Sequence, residues 1–315
     1  MIIFESCHVQ STAVLPSKNS TILPAIIDDI FDKMENKNNE VALLVHSCDR
    51  YEFLYQGFQF FFNKHWDFTM PCNYYFATEE KQFKTDLFEN IQSGKGEWSD
   101  RLRYLLTEKI SENYVLYFQE DMWLDAKVNA DFFKKLFELA RKNDWKQVKL
   151  HSSNVYVTKP TELFIDDFNV AVLDNQASGY LMSHQITLWN KQFLISQLAK
   201  NEHPWRNERK ATKRLKQLDP EIQHIDYFAE NGQIAINNNL PAAVRSGYSS
   251  VSVNSTLDGN VLPYIQDLLN QADPEAQKYG LHLEHNFRNE LTHDGLQKPR
   301  KVDIIKRIKN WIQGK

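Results

Sequence analysis

YVLYFQEDMWLD, residues 114–125, is an apolar run that stops on two adjacent acids and a tryptophan. The aromatic and β-branched residues from Tyr114 to Phe118 suit a buried, pleated surface, so the stretch predicts a strand with Glu120 and Asp121 emerging at its carboxyl end. In open α/β sheets that edge is where ligands bind. Two carboxylates there either hold a divalent cation through oxygen ligands or form the polar first turn of the next loop. The fragment by itself leaves both readings open.

Working outward, residues 40–47, EVALLVHS, read as a fully buried strand that turns polar at Cys48, Asp49 and Arg50. Leu54, Phe58, Phe61 and Phe62 recur at helical spacing over 51–66, and a second strand at 73–77 ends on Thr78, Glu79 and Glu80. Gly94 and Gly96 mark a loop, after which Ser99 is the expected cap of a helix with Leu102, Leu105, Leu106 and Ile110 on its face. The opening strand follows, then a helix over 131–142 and a strand over 147–151. This alternation predicts an α/β fold, a mostly parallel sheet flanked by helices.

Farther out the pattern predicts an amphipathic helix from Pro24, loops and short strands up to Leu181, and helices over 185–199 and 204–218. Residues 232–255 read as loop or edge strand, and 257–280 contain one helix. The expected division is a body over 1–255 and a C-terminal helical segment over 256–315. In the tail, Val302, Ile304, Ile305, Ile308, Trp311 and Ile312 recur at helix spacing among Lys301, Lys306, Arg307 and Lys309. A basic amphipathic helix of this kind suits either an anionic membrane surface or docking on the body with a solvated basic face.

The chain has 315 residues, ample for a large core, and its three cysteines, Cys7, Cys48 and Cys72, show no zinc or disulfide spacing. A reducing, cytoplasmic setting is the expectation. The N-terminal residues lack a signal pattern, and no long apolar run predicts a membrane span. The last twenty residues carry seven Lys/Arg against one Asp, so the formal net charge of −4 leaves the rest at −10. A chain so balanced is not expected to bind nucleic acid.

The order of these pieces resembles a GT-A-type glycosyltransferase. The features that carry the resemblance are a first strand ending in a polar loop at His46–Arg50, a second ending at Thr78–Glu80, and WSDRL (98–102) ahead of a strand ending in acids. SHQITLWNK (183–191) followed by EHPWRNE (202–208) is similar to bacterial glycosyltransferases of surface-polysaccharide and lipopolysaccharide biosynthesis, which show S-x-Q-x-x-x-W and then P-W-x-x-E. Those positions are here Ser183, Gln185 and Trp189, then Pro204, Trp205 and Glu208. The resemblance spans residues 40–250 or so and implies a nucleotide-diphosphate sugar donor, a glycan or glycolipid acceptor, and a divalent cation, Mn2+ or Mg2+.

It also implies roles. The cation is expected at Asp121, with Glu120 its neighbour and Asp125 a second ligand; where GT-A enzymes usually carry Asp-x-Asp, this chain has adjacent acids, which an extended strand would point to opposite sides. Ser47, Asp49, Arg50, Thr78 and Glu79 are expected to line the nucleotide pocket, and Arg101 to pair with the diphosphate or else with Asp100 or Glu97. Glu208 is the expected base of an inverting transfer, with Glu202 and then Asp174 behind it; its alternative is an exposed partner of Arg209 or Lys210. His184, Gln185 and Trp205 are expected on the acceptor side, Trp123 is a stacking candidate, and Trp189 reads as core. A non-catalytic carbohydrate-binding or assembly protein is the alternative function.

Overall fold

The structure, a computed structural model, describes residues 40–85, 87–234 and 238–297. The expected helices at Pro24 and at 299–314 lie outside the described residues. Within them the fold is mixed α/β. Strands β1 (Val41–His46), β2 (Asn73–Thr78), β3 (Glu89–Gln92) and β4 (Tyr114–Phe118) are parallel, in the order β3-β2-β1-β4. Short β5 (Met122–Leu124) follows β4 directly. The sheet continues from β4 through β7 (Thr187–Asn190), β6 (Gln147–His151) and β8 (Gln223–Glu230), and short strands at 171–173 and 158–159 close that side.

Two features set the architecture. β7 runs antiparallel between β4 and β6, with Thr187 opposite both Tyr117 and Lys149. In addition, the end of β8 turns out of the main path to pair in parallel with β9 (Ser246–Ser250), which pairs antiparallel with β5. The sheet therefore curls over itself at the turn between β4 and β5, where Met122 N–H donates to Gln119 O at 3.2 Å. Glu120 and Asp121 occupy the centre of that turn.

Helices cover both faces, as the alternation requires. On one face Leu43 and Val45 of β1 meet Phe58, Phe61 and Phe62 of α1 (Glu52–His65) and Phe132, Phe133 and Leu136 of α3 (Ala130–Lys142). On the other, Ala42 and Leu44 meet Leu102 of α2 (Trp98–Tyr104) and Ala211 and Leu215 of α5 (Pro204–Leu218), with α4 (Lys191–Gln197) alongside. Period-two alternation along β1 feeds the two cores, and each fully buried large apolar side chain contributes about 1.5–3 kcal/mol. Helices α6 (Leu262–Leu269) and α7 (Pro274–Arg288) pack on the first face, where Tyr264 O–H donates to Trp123 O at 2.6 Å.

Several expectations are corrected. The helix expected over 185–199 is a strand followed by a short helix. Leu188 faces one core and Trp189 the other, so a strand buried on both faces reads as an unbroken apolar run. Asn190 then starts α4 by accepting Phe193 N–H at 3.1 Å. Ser99 is not the cap of α2; Glu97 holds that position, and Ser99 is buried with its hydroxyl accepting Glu202 N–H at 2.8 Å. β8 was not anticipated. The single helix expected within 257–280 is two, because Asp273 caps a fresh start at Pro274. Trp123, read as a stacking candidate, is 0% exposed, with Phe61 stacked on it at 5.4 Å. Among the described residues no helix is long and apolar enough to cross a membrane.

Candidate active site

Strands β1, β2, β4, β6 and β8 all direct their carboxyl ends to one edge. Because β7 runs the other way, it brings the residues before it, Ser183, His184 and Gln185, to that same edge. Three groups of polar side chains gather there.

The first is built from the loops after β1 and β2. Asp49 accepts N–H bonds from Glu79 at 2.9 Å, Glu80 at 3.0 Å and Lys81 at 3.1 Å, and its own N–H donates to Glu79 Oε2 at 3.0 Å. The Asp49 carboxylate thus welds the two loops together. Thr78 is fully buried, its hydroxyl donating to Lys81 O and accepting from Asn90 Nδ2 at 3.2 Å. Arg101, 5% exposed, donates from Nη2 to Ser47 O at 3.2 Å. Its Nη1 lies 3.0 Å from Glu79 Oε1 as an ion pair, but no acceptor is aligned with its N–H bonds. Arg101 therefore pairs with Glu79 rather than Asp100 or Glu97, while Arg50 is exposed on the rim.

The second group is the Glu120–Asp121 turn. Because the strand ends at Phe118 and the next begins at Met122, the alternation of an extended strand does not govern the two side chains. Trp123 Nε1–H donates to Glu120 O at 3.0 Å and Val251 N–H to Asp121 O at 3.0 Å, which fixes the turn from both sides. Burial raises the Glu120 carboxyl above its usual range, the Asp121 charge raises it further, and the Ser47 hydroxyl and Arg101 pull it back. Burial likewise raises Asp121, with Glu230 adding to it.

Among the described residues no group of three or more His, Cys, Asp or Glu side chains converges to hold a metal. Mg2+ or Mn2+ shared with substrate phosphates needs only one or two protein carboxylates, the remainder being phosphate oxygen and water. Two crowded acids whose ionised forms repel one another fit such a cation. Asp125 does not join them: it is exposed at the opposite end of β5, its N–H donating to Gly247 O at 3.1 Å.

The third group surrounds Glu208. This half-buried carboxylate accepts His184 N–H through Oε1 at 3.1 Å, and burial raises it above the usual range while Lys149 draws it down. His184 packs its ring 4.1 Å from that of Trp98, and burial lowers the imidazole to about 3, so it is neutral at physiological pH. Gln185 accepts the Tyr248 hydroxyl at 2.8 Å. Trp205, in the first turn of α5, is 59% exposed, its ring 5.3 Å from that of His203.

The understudies for the base have other work. Glu202 is 2% exposed and accepts Asn207 Nδ2 at 2.7 Å and Arg214 Nη2 at 3.3 Å. Burial acts to raise it, but the Arg214 and Asn207 bonds win and hold it below the usual range. Asp174 pairs with Lys159 at 3.1 Å and accepts Gln176 and Ala177 N–H.

Glu230, Lys149, Tyr156 and Tyr248 also belong to this edge and were missed. Glu230 ends β8 half-buried, and burial raises it. The signal existed: QHIDYFAE, 223–230, is another apolar-rich run closing on an acid, like the stretch that ends at Glu120.

No protein-family model matches the sequence, and no characterised protein matches it by sequence. Among solved structures the chain is similar to the crystal structure of S. aureus TarS, with a TM-score of 0.41 and 10% identity over 86% of this chain and 47% of that one. It is also similar to the structure of S. aureus TarS 1-349, with a TM-score of 0.41 and 11% identity over 87% of this chain and 78% of that one. The chain thus spans about half the length of the first of these.

Proposed function

We propose that the protein is an inverting GT-A-type glycosyltransferase that moves a sugar from a nucleotide-diphosphate donor to a glycan or glycolipid acceptor of surface-polysaccharide or lipopolysaccharide biosynthesis. One observation carries this: Glu208, from the P-W-x-x-E stretch, is anchored by the backbone of His184, from the S-x-Q stretch, at the same sheet edge as the Glu120–Asp121 turn. Two motifs distant in sequence meet as base and holder.

In this reading Glu208 takes the proton of the acceptor hydroxyl as that oxygen attacks the anomeric carbon. His184 N–H holds one carboxylate oxygen and leaves the other for the acceptor. Burial raises the basicity of Glu208, while the His184 N–H bond and Lys149 draw its carboxyl back down. Neutral His184, Gln185 and exposed Trp205 form the acceptor side, Trp205 offering a ring face to a sugar. The Ser47–Arg50 loop, with Glu79 and Arg101 beneath it, lines the donor side. Asp121, with Glu120 beside it, would hold a divalent cation, which when bound would neutralise charge on the leaving diphosphate. Attachment to an anionic membrane face through residues 299–314 belongs to the same proposal, tested by liposome sedimentation with and without 299–315.

The test is nucleotide release from UDP-glucose, UDP-N-acetylglucosamine, GDP-mannose and a CMP-sugar with Mn2+ present. Glu208→Gln is expected to lose about 10²–10⁴-fold in turnover with its fold intact. Full activity in that variant removes the assignment, and absence of both turnover and nucleotide binding across the panel favours the carbohydrate-binding alternative.

A further inference from the structure

A sheet covered by helices on both faces is ordinarily apolar on both. Here one line across the sheet is not. Tyr117 of β4, Thr187 of β7, Lys149 of β6 and His224 of β8 are register partners in succession, and none is more than 2% exposed. Partners in register share a face, so four polar side chains are stacked side by side beneath the active-site edge. Burying them costs free energy that the fold alone has no reason to spend.

Lys149 is the extreme member, a lysine at 0% exposure in mid-strand. Its Nζ donates to Ser183 Oγ at 2.8 Å and to Tyr156 Oη at 3.2 Å, and lies 4.9 Å from the Tyr156 ring centre. Tyr156 Oη in turn meets His151 Nε2 at 3.0 Å and Ser183 Oγ at 3.3 Å. Ser183 immediately precedes His184, whose N–H holds Glu208. One short path therefore runs from a buried ammonium through a serine hydroxyl to the backbone donor on the carboxylate.

We propose that Lys149 is the positioning residue for Glu208, its ammonium fixing the Ser183–His184 backbone that holds the carboxylate and placing a buried positive charge behind it. The inference rests on the assignment of Glu208 as base only for its catalytic meaning. Burial lowers Lys149 to about 7 and the Glu208 charge draws it back up, while Lys149 lowers Glu208 against burial. The other titratable groups facing this cluster do not replace it. His151 and His224 are held neutral by burial, Glu230 and Tyr156 carry no positive charge, and Asp226 is ion-paired to Arg245.

The experiment uses the full chain labelled with 13C-carboxyl glutamate, the Glu208 resonance being identified by its loss in Glu208→Gln. In Lys149→Met the Glu208 titration midpoint is expected to rise by about one pH unit, the scale of a lost neighbouring charge. Lys149→Gln, which keeps hydrogen bonding to Ser183 and Tyr156 but removes the charge, is expected to raise it as well and serves if the methionine variant does not fold. In a turnover assay on the same proteins, the acid limb of the pH profile moves to higher pH by the same amount. A Glu208 midpoint unchanged in a folded Lys149→Met or Lys149→Gln protein overturns the inference, because a lysine that only fills space would leave it unmoved. Full turnover in Glu208→Gln would instead remove the base assignment and leave the Lys149–Glu208 coupling standing on the resonance data.

Discussion

Gly57→Ala sets two known effects against each other at one atom. Alanine is the better helix former by about 1 kcal/mol, so in the interior of α1 the exchange would normally stabilise. At this position the added Cβ would stand 2.1 Å from Cζ2 and 2.2 Å from Cη2 of Trp123. Trp123 has nowhere to go. It is 0% exposed, stacked on Phe61 at 5.4 Å and met edge-on by Tyr264 at 5.4 Å, with its indole N–H on Glu120 O. Overpacking of such a core costs about 1–3 kcal/mol and here outweighs the propensity gain. At roughly 2–4 °C per kcal/mol, a fall of several degrees in the thermal midpoint follows. The displaced indole also drags the Glu120–Asp121 turn, so under the proposed function nucleotide binding with Mn2+ is expected to weaken along with stability. Calorimetric melting of Gly57→Ala, Trp123→Phe and the double variant checks the packing, since phenylalanine removes the part of the ring that the new methyl strikes, and nucleotide titration of Gly57→Ala with and without Mn2+ checks the turn. The double variant is expected to be more stable than the sum of the singles. A Gly57→Ala protein that melts at or above the wild-type temperature would refute the packing account.

Two further outcomes follow from burial and pairing. Trp205→Ala removes a 59% exposed ring, so stability is expected to stay within about 0.5 kcal/mol of wild type while KM for a glycan acceptor rises; unfolding and steady-state kinetics measure the two separately. Glu202→Gln breaks the clamp on Arg214 and Asn207 and is expected to cost about 1–3 kcal/mol at pH 7. Glu202 has a folded pKa below its unfolded one, so its stabilisation is present above the unfolded pKa and is lost as pH falls through the folded value. Denaturant titrations of both proteins should therefore converge in acid, and a constant gap at all pH values would contradict the pairing.

What the sequence made legible was local and periodic. The apolar runs at 41–46, 73–78 and 114–118 and the helical stripes at 52–65 and 130–142 lie where their spacing put them, and the acids at 120–121 do end the fourth strand. The failures share a physical cause. A strand buried on both faces loses its alternation, so TLWN at 187–190 was indistinguishable from the start of a helix. That misreading hid the reversal that brings His184 and Gln185 to the sheet edge where Glu120 and Asp121 lie. Side-chain partners were equally hidden. Asp49 caps a neighbouring loop thirty residues on, and Lys149 meets Ser183 across two strands, relations that no local pattern encodes. Glu230 was missed because its strand was missed.

A β4–β5 turn and a Glu208 edge that together form one donor and acceptor site must bind a nucleotide. Titration calorimetry of the full chain with UDP, GDP and CMP, each with and without Mn2+, is the measurement. One nucleotide is expected to bind, Mn2+ to tighten it, and Asp121→Asn to abolish the Mn2+ effect while the thermal midpoint is retained. Binding that is indifferent to both Mn2+ and Asp121, or no binding of any of the three, would contradict a single donor and acceptor site.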